Sequence, residues 1–181
     1  MSLYDGDIFE RGGLKFRFRT EFDDSSGPPW EEECGHGEVS EWTTRDKKPG
    51  ERELCQDRGS KRFYDWAEST RVAKRDGWGL SEDETEQLTK KLRRTPTRGQ
   101  IVHAAVQRNY EFLRSWANDE WHYIGVIVTL MEVGEDGELV ESDNIEESLW
   151  GIDDSDDKYI EETAYEMADA ICAQVKRIQP E

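Results

Sequence analysis

The chain has 181 residues, 34% of them hydrophobic and 36% charged, and a formal net charge of -18. That length suits one domain, and the negative field excludes a general binder of nucleic acid or anionic membrane, because phosphates attract Lys and Arg. Seven Trp, six Tyr and six Phe supply the large apolar bodies that a disordered chain lacks.

In chain order, the first clear element is a strand. Leu14, Phe16, Phe18 and Phe22 alternate with Lys15, Arg17, Arg19 and Glu21, and period two means one buried and one wet face. Pro28-Pro29 ends the extended region, and a loop carrying Trp30 and Trp42 runs to about Gly50. Residues 51–56 form a short second strand candidate. Residues 62–76 read as a helix, with Phe63, Trp66, Ala67, Thr70 and Ala73 on one face and Gly77 and Gly79 as its stop. Ser81-Glu82-Asp83-Glu84 is a capping-box pattern for a helix whose apolar face is thin.

Residues 97–118 carry a wide apolar stripe of Ile101, Val102, Ala105, Val106, Phe112, Leu113 and Trp116, expected of a central packing helix. Residues 121–133 are aromatic and β-branched on both faces, as in an interior strand. Asp136-Gly137 is a hairpin signal, with strand candidates at 138–140 and 147–152. Ser155 or Asp156 caps a last helix, whose face is Ile160, Ala164, Met167, Ala168, Ile171, Val175 and Ile178. The implied fold is α+β, with a mostly antiparallel sheet of about four strands covered by helices on one face. We read it as a single acidic domain over residues 1–181, with a loop-rich region at 23–50 and an acidic hairpin region at 132–158.

Cys34, Cys55 and Cys172 form neither an even set nor a close pair, and the first residues are polar. The longest apolar run, residues 123–131, falls short of the ~20 residues a membrane helix needs. A cytoplasmic protein with reduced thiols, making no membrane contact, is expected.

Charge is segregated. Residues 132–162 hold fourteen acidic side chains and one basic one, Lys158. The plain reading is a solvated hairpin and helix start. The sharper reading is a mimic of DNA phosphates, formed by Glu132, Glu135, Asp136, Glu138, Glu141, Asp143, Glu146, Glu147, Asp153, Asp154, Asp156 and Asp157. Duplex DNA carries a negative charge per ~1.7 Å of axis, a density such a surface could match. The basic cluster Lys90, Lys91, Arg93, Arg94 and Arg98 reads as a wet helix end, or as a grip on an acidic partner or RNA.

Catalytic patterns are incomplete. His36-Gly37-Glu38 matches half of a zinc deaminase signature, but the P-C-x-x-C half is missing. Cys34, His36 and Cys55 lack an obvious fourth zinc ligand unless His122 or a carboxylate supplies it. Counted from Asp153, the sixth and twelfth positions of a calcium loop are Lys158 and Ala164, where Gly and Glu are required. Phosphate-binding glycine loops and nucleophile elbows are absent. The reading is non-enzymatic, with no catalytic residue, cofactor or metal. Trp66, Trp116 and Trp121 fall on core stripes. Trp30, Trp42 and Trp78 lie in loops, as lids over a core edge or as aromatic anchors for a partner.

The phrases Pro29-Trp30-Glu31-Glu32, Gly35-His36-Gly37, Ser40-Glu41-Trp42, Lys61-Arg62-Phe63-Tyr64-Asp65, Asp76-Gly77-Trp78, Trp121-His122-Tyr123-Ile124-Gly125-Val126 and Glu147-Ser148-Leu149-Trp150-Gly151-Ile152 occur in this order. Together they resemble a family of hypothetical proteins of bacteriophages and prophages, over most of the chain from Leu14 onward. Residues 81–94 have no counterpart in it. The resemblance implies an accessory protein of the infected bacterial cell and carries no catalytic assignment. The function expected is binding to a host or phage protein with a basic surface, without direct nucleic-acid binding. In its sharper form this is an acidic DNA-mimic inhibitor of a host nucleic-acid-handling defence protein (anti-restriction or anti-CRISPR). The alternative is an interaction or regulatory module without mimicry.

Overall fold

The elements in chain order are β1 (Ile8–Arg11), β2 (Leu14–Phe22), α1 (Pro29–Glu32), β3 (Glu51–Asp57), β4 (Ser60–Asp65), α2 (Trp66–Asp76), α3 (Glu82–Leu92), α4 (Arg98–Ala117), β5 (Tyr123–Val133), β6 (Leu139–Asp153) and α5 (Asp157–Ile178). They come from a computed structural model that describes residues 3–178. The fold is α+β, as the sequence periodicities imply. Where the sequence reads as one domain, the coordinates divide the chain into two compact units, Met1–Ser26 with Trp121–Glu181, and Gly27–Glu120. The division follows from strand pairing: β2 pairs with β5, and everything between them builds its own hairpin and helices.

The first unit is an antiparallel sheet in the order β1-β2-β5-β6. Phe16, Phe18, Val126, Val128, Leu130 and Ile152 form one core cluster with Ile160, Ala164, Ala168 and Ile171 of α5. Full burial of each large side chain stabilises by about 1.5–3 kcal/mol. Asp156 Oδ1 accepts the Tyr159 amide at 3.0 Å, which fixes the start of α5. The side chain of Ile178 lies outside the described residues. Only α5 covers this sheet in its own unit; the other helices belong to the second unit.

Asp23 ties the end of β2 to β6. It is buried and accepts from the Ser25 amide and hydroxyl, the Ser26 hydroxyl and the Gly151 amide, while its own amide donates to Tyr123. These donors, the Ser25 hydroxyl first, hold its carboxyl below the usual carboxylate range.

In the second unit β3 and β4 form a two-stranded antiparallel sheet. The reversal at Arg58-Gly59 uses positive φ at both residues, 45° and 86°, the conformation of a tight primed turn. Leu54, Tyr64, Ala73, Val102, Val106 and Leu113 share its core. Ser81 and Thr97 each complete a capping box, for α3 and α4.

Four local expectations change. Residues 62–65 are strand, because Phe63 and Tyr64 pair with β3, and Asp65 caps a helix that starts only at Trp66. The two late strand candidates are one strand, β6, whose pairing with β5 shifts register twice. β1 was not foreseen: four residues are too few to display a period. The loop after Pro28-Pro29 contains the single-turn helix α1. No helix of the described residues is long and apolar enough to cross a membrane.

Both cores are expected to respond to truncation. Phe18→Ala should cost about 3–5 kcal/mol and Leu113→Ala about 2–5 kcal/mol. Native-state hydrogen exchange will show each loss concentrated in the unit that carries the substitution.

Candidate functional site

The acidic residues lie along an arm formed by the far end of β5, its hairpin turn, β6 and the turn into α5. The structure does not gather them on one face. On β6, Glu141 and Glu146 stand beside Arg17 and Arg19 of β2: Arg19 Nη2 is 3.1 Å from Glu146 and 3.7 Å from Glu141, and Arg17 Nε is 3.4 Å from Glu141. Thr129, buried, donates to Glu146 at 2.9 Å. Glu147 and Val140 instead register with Val128 and Glu132, so Glu132 and Glu147 occupy the face opposite to that of Glu141 and Glu146.

Four more acids make turns. Asp136 accepts the Glu138 amide, Asp153 the Ser155 amide, Asp154 the His122 amide, and Asp156 caps α5. The Asp-rich run at 153–157 is thereby explained without a calcium ion. Among the described residues, Glu132, Glu135, Glu138, Asp143, Glu147 and Asp157 have carboxylates with no hydrogen-bond or ion-pair partner in the protein. Val133, Leu139, Val140, Leu149 and Trp150 lie between them at 39–71% exposure. The sequence reading missed this apolar component. Trp150 is the clearest case: its ring lies over Gly125, where a Cβ would come within 2.5 Å of it. A glycine inside an otherwise bulky strand was the available signal.

The aromatic candidates separate. Trp30 packs edge-on against Trp116 at 5.4 Å and belongs to the core margin. Trp42 is 45% exposed. The Arg62 guanidinium lies 5.3 Å from the Trp30 ring and 5.2 Å from the Trp42 ring. Trp78 lines a cleft of 430 Å³ in the second unit together with Glu33, His36, Arg108, Asn109 and Phe112. In the basic cluster, Lys90 pairs with Glu86 at 2.9 Å, Arg93 ends α3 with φ +54°, and Arg98 begins α4.

His36 is held by its neighbours. Its ring lies parallel to Phe112 at 5.7 Å, and its Nδ1 meets the Asn109 amide nitrogen at 2.8 Å. Asn109 Oδ1 accepts from the Gly37 amide and the Tyr64 hydroxyl. Gly37 permits this closeness, since a Cβ there would collide with Tyr64 and Ser69. Asn109 and Arg108 escaped the sequence reading, because a polar residue within a helix looks like any solvated position, and Phe112 reads there only as part of the apolar stripe of α4. Cys34 is exposed and Cys55 buried, both as free thiols. Among the described residues no three His, Cys, Asp or Glu side chains are placed to hold a metal ion.

Comparison with known proteins finds no matching family model, no matching curated protein and no matching solved structure.

Burial pushes the His36 imidazolium down from its ordinary pKa, against the opposing pull of Glu33. Neutral His36 thus favours folding above the unfolded value of about 6.5, and that contribution falls as acid protonates the unfolded chain. Stability of the second unit is expected to decline from pH 7 to 5. In His36→Gln the same pH series, followed by urea unfolding, should be flatter.

Proposed function

We propose that the chain is a non-enzymatic accessory protein that acts by binding another protein, with the β5–β6 arm as its contact surface. One observation carries this reading: on β6, the strand that ends the sheet, the unpaired carboxylates of Asp143 and Glu147 lie between two exposed apolar pairs, Leu139-Val140 and Leu149-Trp150. Edge strands offer unpaired backbone groups to an incoming chain, and charge on them opposes association with like copies. A basic partner meets both conditions: it neutralises Glu132 and Glu147 and covers Val140 and Leu149, which share their face of the sheet. The resemblance to phage and prophage proteins supports an infected bacterial cell as the setting. It supports restriction and CRISPR effectors as the class of target.

DNA mimicry is the second, narrower form. It is favoured by the net -13 of residues 132–162. Against it stand the pairing of Glu141 and Glu146 with arginines and the apolar side chains between the remaining acids.

The two forms differ in what removes binding. With a partner captured from infected cells, the combined change Glu132→Gln, Glu135→Gln, Glu138→Gln, Asp143→Asn and Glu147→Gln should weaken the complex about tenfold or more. That is what five exposed ion pairs of about 0.2–1 kcal/mol each imply. Val140→Ser with Leu149→Ser should weaken it comparably if the arm docks as a mixed surface. Under mimicry the apolar changes matter little, and duplex DNA competes with the protein. An affinity indifferent to both sets of changes rules out the arm as the contact surface.

A further inference from the structure

The hairpin of α3 and α4 lies in the second unit and plays no part in the arm. Glu84 at the start of α3 meets Arg108 of α4 at 2.6 Å. Lys91 and Leu92 at the end of α3 line the same groove as Gln100 near the start of α4. The two helices therefore run antiparallel, with a groove of 640 Å³ between them. α3 has no fully buried residue. Leu88 and Leu92 are half-buried and, with Ala104 of α4, form the apolar floor of the groove. An apolar helix stripe left half open has room for one more helix to pack on it. Charge along the groove is uneven. At one end Glu84 is taken up by Arg108, and Glu111 accepts from Gln107 at 2.6 Å. At the other end Lys91 lines the groove, Arg93 and Arg94 follow in the turn, and Arg98 begins α4. Among the described residues none of these four cations has a carboxylate partner, although the chain carries a net charge of -18.

An occupant must cover an apolar floor and bring negative charge to one end of it. RNA supplies the charge but leaves Leu88 and Leu92 uncovered, and its backbone would run beside Glu84 and Glu111. An extended peptide would lay its backbone groups against helix side chains without partners, whereas a helix satisfies them internally. From Glu84 to Leu92 the floor extends ~12 Å, which accommodates about two turns of a docked helix. A second copy of the chain does not fit. Its free acids in the arm sit on strands and turns, and the apolar face of α5 is spent on its own core.

We propose that the α3–α4 groove docks an acidic amphipathic helix of another protein, with its leucine-type side chains on Leu88, Leu92 and Ala104 and its carboxylates over Lys91 and the basic turn. The probe is an acetylated and amidated peptide of about 15 residues, long enough to populate a helix. It is built from Leu, Ala and Glu with Leu along one helical face and Glu flanking it. Titrated into the full chain and followed by amide NMR, it should shift resonances of α3 and α4 and leave those of β5 and β6 in place. A peptide of the same composition, reordered to break the stripe, should bind about tenfold more weakly. Lys91→Glu with Arg94→Glu, at exposed side chains, should weaken the probe about tenfold, since two exposed ion pairs become repulsions. Leu88→Ser with Leu92→Ser should weaken it at least as much. Circular dichroism melts will show whether each variant is folded; if the leucine variant is not, the charge variant decides. Absence of binding at millimolar peptide overturns the inference. So does an affinity unchanged in the folded variants, a shift pattern centred on the arm, or an oligouridylate that binds the groove tighter than the peptide.

Discussion

Pairing of β2 with β5, continuous from Lys15↔Met131 to Phe22↔Ile124, is the constraint on which the first unit depends. Its register sends Phe16 and Phe18 to the side of Val128, Leu130 and α5, and Arg17 and Arg19 to the other side with Thr129. A slip of one residue would exchange the two sets and bury guanidinium groups in place of phenyl rings. The same register decides the electrostatics. Because Arg17 and Arg19 face away from α5, they reach across β5 to Glu141 and Glu146 of β6 and withdraw two acids from the outer field.

Long periodic segments were legible in the sequence. The alternation of β2, the bulky run of β5, and the wide stripe of α4 and the face of α5 each impose burial by pattern alone, and each element stands within a few residues of its expectation. Short or interrupted elements were not. β4 hides inside a helical-looking pattern, since Phe63, Trp66 and Ala73 happen to fall at helical spacing while Phe63 and Tyr64 are extended against β3. β6 hides because its register shifts split the alternation. Division into two units depends on which strands pair at long range, and no local pattern in residues 14–22 names residues 124–131 as partners.

The candidate site shows the same division. Sequence fixes which residues are acidic but not what each carboxylate touches. Six of the twelve serve in ion pairs, turns or a helix cap, and the rest share the arm with Trp150 and its apolar neighbours. In the cleft, Gly35-His36-Gly37 and Gly77-Trp78-Gly79 were visible as glycine-flanked aromatic positions. Their meeting with Asn109 and Phe112 of α4 depends on tertiary packing across roughly seventy residues of separation, a span over which local pattern carries no information.

The placement of the second unit between β2 and β5 bears on how the polypeptide emerges from the ribosome. When β2 leaves the exit tunnel, its partner is still roughly one hundred residues from emerging, a delay of about 5–20 s at ordinary elongation rates. During that interval β1 alone can shelter one side of β2, and the phenyl groups of Phe16 and Phe18 have neither Val128 nor α5 to cover them. The residues made meanwhile contain their own hairpin and helices. Lys15, Arg17 and Arg19, interleaved with those phenyl groups, give the waiting strand a cationic character that keeps nascent chains apart.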